Sequence, residues 1–570
     1  MKDKEEFYRL LGEIDGWDAA EYGRIIGDFD FGRYVLRFNR VAVEPDAGPT
    51  LFLVRVPQST AGFPPRLFNT PVRRTALEDL LTRKLAAYIE ASARFDVEGV
   101  ARRRISVSVP GQKILPRTSL VIVDEYVEAR VYIQLPVLNG LIDGEAARGV
   151  FFEELPQLVN ATLLFCNLEY SEVEQFVNAM EDADAIRQAL PSRGLIGFVA
   201  AGSLLARRAN SDQPDYHRAA PLSVAAQVQV EVDTPNAGVV KGLGIPSGIT
   251  VILGDCYSGR IELVKAIAAG IYNHIPGDGR EMAIAMPDAV YVSAHPGRCI
   301  QRVDISAFAP ARVNGEPSSA YTASSADGFA SQAAGIVEAL EIGARALLFD
   351  ESESAPALLS SDPVTGGDSQ VVSVMDRARS LVDEFGLSIV VGVSTLARGW
   401  IAIADTVLQV RNFAVANVTE AAKKSAGSVP VREVPAFDFA ARLEASRWVV
   451  PGSIDSSVGR HDMVVSAPSK HDLVFGRATI NLDRVEQLAD CSQTATIGLV
   501  LHYGRQRYLE EARPIREILD LIDRDLSTEG LECLSRDLRG DLARPRRYEI
   551  AAALNRLPTL RIAPQEGAAG

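Results

Sequence analysis

Between residues 250 and 271 an apolar stretch, Thr250-Val-Ile-Leu253, passes through a loop bounded by Gly254 and Gly259 into a helical pattern, Leu263 to Ile271. A strand that turns on glycine straight into a helix is the repeating unit of parallel α/β sheets, whose chemistry sits at the carboxyl ends of the strands. Two later segments have the same apolar-strand character, Ala344-Arg-Ala-Leu-Leu-Phe-Asp350 and Leu387-Ser-Ile-Val-Val-Gly-Val393. Residues 196–435 are therefore predicted to form a parallel sheet flanked by helices.

At 570 residues the chain is too long for a single core. Residues 1–195 read as an N-terminal α+β domain. It has a helical pattern at Phe7, Leu10, Leu11 and Ile14, strands within 104–136 around a turn at Pro110-Gly111, and helical spacing over 146–190. Residues 436–570 read as a smaller C-terminal α+β domain, with strands at Met463 to Val465 and Leu473 to Phe475 and amphipathic helices at Ile515 to Leu526 and Ile550 to Leu557. The tail Ala563 to Gly570 is expected to fray.

Composition excludes several classes. An apolar fraction of 47% with 23% charged residues is that of a folded globular chain. Lys plus Arg (59) against Asp plus Glu (74) gives −15, which excludes a surface coated in positive charge for non-specific nucleic-acid binding. A local run, Arg536, Arg539, Arg544, Arg546 and Arg547, could face phosphates or simply be solvated beside Asp537 and Asp541. Cys166, Cys256, Cys299, Cys491 and Cys533 are far apart, so neither a disulfide framework nor a zinc site is legible. The opening Met-Lys-Asp-Lys-Glu-Glu-Phe has no apolar core, and the longest apolar run, Leu387 to Ala397, is too short for a bilayer. A cytoplasmic protein without membrane association is expected.

The loop has the spacing of a phosphate-binding P-loop, and its candidate nucleotide-binding residues are Gly254, Asp255, Cys256, Tyr257, Ser258, Gly259, Arg260, Ile261 and Glu262. Two glycines at this spacing are expected about three times by chance in such a chain, so the placement between strand and helix carries the argument. An ordinary strand-to-helix turn is the competing reading. Several residues are wrong for Mg·ATP. Arg260 replaces a compact lysine with a planar fork. Ile261 offers no hydroxyl to Mg²⁺. Asp255 and Glu262 place carboxylates beside phosphate, each costing about 4 kcal/mol near ~4 Å at an effective dielectric of ~20. A helix N-terminus returns no more than about 2 kcal/mol.

The strand Ala346-Leu-Leu-Phe ends in Asp350 and Glu351, the candidate catalytic pair. In P-loop ATPases the first such carboxylate holds Mg²⁺ through water and the second orients the attacking water. An acidic strand end is also common without any such role. A turn at Asp327, Gly328, Ser331 and Gln332 opens a helix and suits either anion capture or plain capping.

Taken together these segments resemble the ATPases of the ABC class, a group outside the transporters. The resemblance covers roughly residues 8–557. It includes Pro110-Gly-Gln-Lys-Ile-Leu-Pro-Arg117-Thr, Val127-Glu-Ala-Arg130, Gly242-Leu-Gly-Ile-Pro-Ser-Gly248, Val303-Asp-Ile-Ser306 and Ser492-Gln493-Thr494. Its most specific blocks are Ile271-Tyr-Asn-His-Ile-Pro-Gly-Asp-Gly-Arg280-Glu281 and Gly540-Asp-Leu-Ala-Arg-Pro-Arg546-Arg547. The resemblance implies a central ABC-type P-loop domain between the two α+β domains, ATP and Mg²⁺ as ligands, and a homodimer in which one subunit's P-loop faces the other's signature turn. By match, Asp327 to Gln332 is that turn, Asp350-Glu351 the Walker B pair, and Ser354-Ala355 part of the D-loop.

Departures from the family pattern cluster at the nucleotide. Gly-Lys-Ser-Thr is here Gly259-Arg-Ile-Glu262, Ser-Gly-Ser-Thr-Ser-Gln is Asp327-Gly-Phe-Ala-Ser-Gln332, and Asp-Glu-Asp-Thr-Ser-Ala is Asp350-Glu-Ser-Glu-Ser-Ala355. The Gly-Gly-Ser-Gly-Asp loop is missing around Val393 to Arg398, and Gln-Gly-Asp-Pro matches Ala42-Val-Glu-Pro45. Scaffold segments persist where active-site segments do not. The expectation is a dimeric pseudo-ATPase or weak nucleotide-binding scaffold. The alternative is an active ATPase, with RNA or other nucleic acid as a possible partner.

Overall fold

The computed structural model describes the chain except residues 43–47, 93, 96–100, 103, 210, 361–370, 428, 430–431, 445 and 565–570. The matched Val43 to Pro45 and most of the expected frayed tail lie outside the described residues. The chain forms two compact units. One comprises Met1–Glu181 with Leu531–Arg544, the other Asp182–Gly530 with Pro545–Gly570.

In the first unit, Asp3 and Glu6 close a reciprocal capping box on α1 (Lys4–Glu13), satisfying amides that the first helical turn leaves free. Strands β1 (Gly27–Asp30), β2 (Val35–Phe38), β3 (Thr50–Pro57) and β4 (Tyr126–Ile133) form consecutive antiparallel pairs of one sheet. The β3–β4 pair runs from Thr50↔Ile133 to Pro57↔Tyr126, and each strand buries more than half of its residues. Thr70 caps the long helix α2 (Pro71–Ala91), whose first residue is a proline that needs no intrahelical donor. Phe7, Phe29, Phe38, Phe52 and Phe151 form the aromatic core, with Phe7 and Phe29 ring centroids 4.3 Å apart.

In the second unit, β5 (Leu195–Ala200), β6 (Gln229–Thr234), β7 (Gly238–Pro246) and β9 (Ala283–Ala285) make an antiparallel sheet in the order β6-β7-β5-β9. The principal sheet contains β8 (Ile249–Leu253), β10 (Ala289–Tyr291), β11 (Ala346–Asp350), β12 (Ser388–Val393), β13 (Thr406–Arg411) and β14 (Ala414–Asn417). Its order is Ser223–Val224, β14, β13, β8, β12, β11, β10, parallel except at the β13–β14 hairpin. Strands β8, β11 and β12 are buried along their whole length, which is why they read as unbroken apolar runs. Helix α3 (Arg260–Ala269) follows β8, and α4 (Gly328–Glu341) precedes β11.

The C-terminal portion adds the hairpin β15 (Asp472–Phe475) and β16 (Ala478–Asn481), with helices α5 (Cys491–Tyr508), α6 (Ile515–Thr528) and α7 (Arg547–Asn555). The chain is thus a multidomain α/β and α+β protein. The loops that leave the carboxyl ends of β8, β11 and β12 meet at one place.

Candidate functional site

Helix α3 begins at Gly259, whose φ of +95° is open to glycine at little steric cost. Gly254 is needed for space, because a Cβ there would collide with the Ser258 hydroxyl. The loop is folded in on itself. The Ser258 amide donates to the Asp255 carbonyl at 3.2 Å, and the Arg260 amide donates to Ser258 Oγ at 3.3 Å. Tyr257, at φ +63°, stands 86% exposed at the tip, and Cys256 is exposed beside it. Thr395 Oγ1, on the loop after β12, donates to Asp255 Oδ1 at 3.2 Å.

A second loop clamps the first from the side. Asn412 and Phe413, the turn between β13 and β14, both have positive φ, which is costly for a phenylalanine. The Phe413 amide donates to the Ser258 carbonyl at 2.9 Å, and its ring packs where a Gly259 Cβ would lie 2.8 Å away.

Arg260, which the resemblance sets at the P-loop lysine's position, is 8% exposed. Its guanidinium donates through Nη1 to the Gly254 carbonyl at 2.9 Å and through Nη2 to Asp350 Oδ1 at 3.3 Å. Nε lies 3.3 Å from Asp350 Oδ2, and Nη1 lies 3.6 Å from Glu351 Oε2. Gly392 on β12 makes room for this pair, since a Cβ there would sit 2.5 Å from Asp350 Oδ2.

Neighbouring groups also donate to these carboxylates, although among the described residues Asp350 Oδ2 accepts no hydrogen bond. Asp350 Oδ1 accepts from the Ser352 amide at 3.0 Å and the Ser352 hydroxyl at 2.6 Å. Glu351 Oε2 accepts from the Ser394 amide at 2.7 Å. Glu353 pairs with Lys265 of α3 at 2.8 Å and accepts from the Tyr291 hydroxyl at 2.8 Å. Burial works to raise the Glu353 carboxyl, but Lys265 and Tyr291 outweigh it and hold it below the ordinary range.

The turn at 327–332 is built around buried polar groups. Asp327 caps α4 by accepting from the Ala330 amide at 2.8 Å. Ser331 and Gln332 are each 1% exposed. Ser331 Oγ donates to the Gly328 carbonyl and accepts from the His295 amide, both at 2.9 Å. Gln332 Nε2 donates to the Val292 carbonyl at 3.1 Å and to Ser354 Oγ at 3.0 Å, while its Oε1 accepts from the Ala355 amide at 2.8 Å. These residues fasten α4 to the segment after Asp350.

Family models match along most of the chain. One described as the ATPase of the ABC class N-terminal domain matches residues 4–166, and the ABC ATPase P-loop domain matches 169–440. The chain belongs to the ATPases of the ABC class. A third model, the MRB1590 C-terminal domain, matches residues 464–563. One curated relative, the uncharacterized protein MJ1628 of Methanocaldococcus jannaschii, is 30% identical over 187 residues. That stretch covers 31% of this chain and 41% of the relative, so less than half of the relative's length is spanned.

Within this ABC-class frame the structure brings Gly254 to Glu262 together with Asp350 and Glu351, while Ser331 and Gln332 face inward. Sequence reasoning missed Ser352, Ser394, Thr395 and Phe413. Ser394 and Thr395 were findable as the first polar residues after a buried strand, but Phe413 gave no pattern. The basic run does not lie on one helix: Arg539 belongs to the first unit, Arg546 and Arg547 to the second, and only Arg547 begins α7. Arg539 pairs with Asp541, Arg546 with Glu549, and Arg547 with Asp520, each at 2.6 Å. Among the described residues, no helix is long and apolar enough to cross a membrane.

Proposed function

We propose that this chain is a non-hydrolysing ABC-class ATPase homologue, a dimeric scaffold whose P-loop is closed by its own arginine. The observation that carries the reading is the Arg260 guanidinium held by Gly254, Asp350 and Glu351. P-loop ATPases in general bind nucleotide with Mg²⁺, and here the donor set does not fit the metal. Ile261 has no side-chain oxygen, Asp350 Oδ1 accepts from Arg260 and Ser352 while Oδ2 only faces Arg260 Nε at 3.3 Å without a hydrogen bond, and the Ser394 amide donates to Glu351. The phosphate cradle fits no better, because Ser258 Oγ already accepts from the Arg260 amide at 3.3 Å and Glu262 supplies negative charge in the first turn of α3. Asp255, Glu262, Asp350 and Glu351 oppose a phosphate with Arg260 as their counter-charge.

Dimerisation follows from the resemblance, in which the P-loop of one copy meets the signature turn of another. Nucleic acid as a partner draws no support from the basic run, whose Arg539, Arg546 and Arg547 already hold carboxylates. The test is calorimetry with Mg·ATP together with a steady-state hydrolysis assay. The reading expects no Mg-dependent binding and no turnover above background. Turnover that disappears in the Asp350→Asn, Glu351→Gln double variant overturns it.

A second reading, hydrolysis with Arg260 in the lysine's part, rests on the Asp350-Glu351 pair at the end of β11 directly beside the loop. It requires turnover that is lost in Arg260→Ala.

A further inference from the structure

A separate cavity of about 690 Å³ lies in the second unit, lined by His295, Arg298, Cys299, Asn481, Arg484 and Arg556 among others. That volume suits a small-molecule ligand rather than a few waters. Its wall is rich in donors. Among the described residues Asp483 is the one carboxylate in the lining, against three arginines. Arg298 is already committed, bidentate to Glu338 at 3.0–3.1 Å. Arg484 and Arg556 have no carboxylate within ion-pair distance among the described residues. Arg556 instead donates through Nε to His295 Nδ1 at 3.3 Å and through Nη1 to the Ala552 carbonyl at 3.0 Å.

We propose that this cavity binds a small phosphate-bearing anion, gripped by Arg484 and Arg556. The guanidinium fork matches phosphate geometry, and a half-buried cation without a counter-charge is the group that gains most from an arriving anion. Burial, and then Arg298, pull the Arg556 guanidinium down to about 9, a shift that a bound phosphate reverses. His295 stays neutral, its Nδ1 accepting from Arg556, so its proton is on Nε2 as one more donor. Among the described residues the lining has no Phe, Tyr or Trp on which a nucleobase would stack, which favours a small phosphate ester over a nucleic-acid strand. The site also touches the signature turn. The His295 amide and Arg298 Nη2 both bond to Ser331, each at 2.9 Å, so an anion on Arg556 lies two contacts from α4.

This proposal does not depend on the P-loop reading, and the test separates them. Inorganic pyrophosphate is titrated into the full chain without Mg²⁺ at fixed ionic strength, followed by calorimetry and thermal unfolding. Saturable binding that weakens about tenfold in both Arg484→Gln and Arg556→Gln is expected. Arg484 is exposed, so its variant decides the matter if Arg556→Gln does not fold. Tyr257→Asp, which adds negative charge at the P-loop mouth, is expected to leave the affinity unchanged. No binding, or binding indifferent to both arginine variants, overturns the proposal. So does a response lost in Tyr257→Asp but kept in Arg484→Gln. Binding of a single-stranded oligonucleotide with which pyrophosphate does not compete overturns it as well.

Discussion

At the scale of single residues, Arg260 and Asp350 form a buried ion pair in which each is the other's counter-charge. Deleting one partner leaves an uncompensated buried charge, whereas deleting both does not. Arg260→Ala is therefore expected to lower unfolding stability by about 3–5 kcal/mol, and adding Asp350→Ala to recover much of that loss, as read by urea denaturation. His295 supplies a pH dependence. Burial, then Arg556 and Arg298, with Arg484 adding to them and Asp483 opposing, lower its pKa from 6.5 to about 4. The unfolded chain takes up this proton first as the pH falls. Stability is thus complete above pH 6.5 and declines by about 3 kcal/mol toward pH 4, a portion absent in His295→Asn. The departures at Arg260, Ile261 and Glu262 were legible in the sequence. The direction Arg260 turns was not, because Asp350 lies ninety residues away and only the strand register brings it near.

At the scale of elements, the P-loop is shaped by the turn that clamps it. Gly259 combines φ +95° with a Phe413 ring atom 2.8 Å from its would-be Cβ. Gly259→Ala is expected to cost about 2–3 kcal/mol, of which Phe413→Ala restores only the steric part, measured by thermal unfolding of both variants. Gln332 is a clamp of the same kind. Gln332→Leu leaves the Val292 carbonyl and the Ala355 amide without their partner and is expected to cost about 2–4 kcal/mol. Strands β8, β11 and β12 were legible because full burial writes them as apolar runs. Helix α5 was not, because it buries Gln493, Thr494, Thr496 and His502 beside its apolar residues, and no apolar stripe survives. Helix α2, which buries Arg73, Asp79 and Thr82, escaped for the same reason.

At the scale of the whole molecule, the chain returns late to its first unit. Residues 531–544 belong to the first unit although they lie between α6 and α7. Arg130, 4% exposed at its side chain, pairs there with Glu532 and donates to the Arg539 carbonyl at 3.2 Å. Gly540 passes so close that a Cβ would lie 2.8 Å from the Arg130 carbonyl. Gly540→Ala is expected to destabilise the first unit by about 1–3 kcal/mol while leaving the second unchanged, as hydrogen exchange resolves. The Gly540 block was visible in the resemblance, but not its destination, since local pattern says nothing of which sheet a loop rejoins. The same frame places β8 and β11 so that their loops hold the guanidinium, while the loop after β12 holds Glu351 and Asp255. The most direct measurement is a crystal structure of the full chain grown with excess ATP and MgCl₂. The account predicts Arg260 still seated on Asp350, with no metal between that carboxylate and a phosphate. Mg²⁺ on Asp350, with Arg260 swung onto the phosphates, would contradict it.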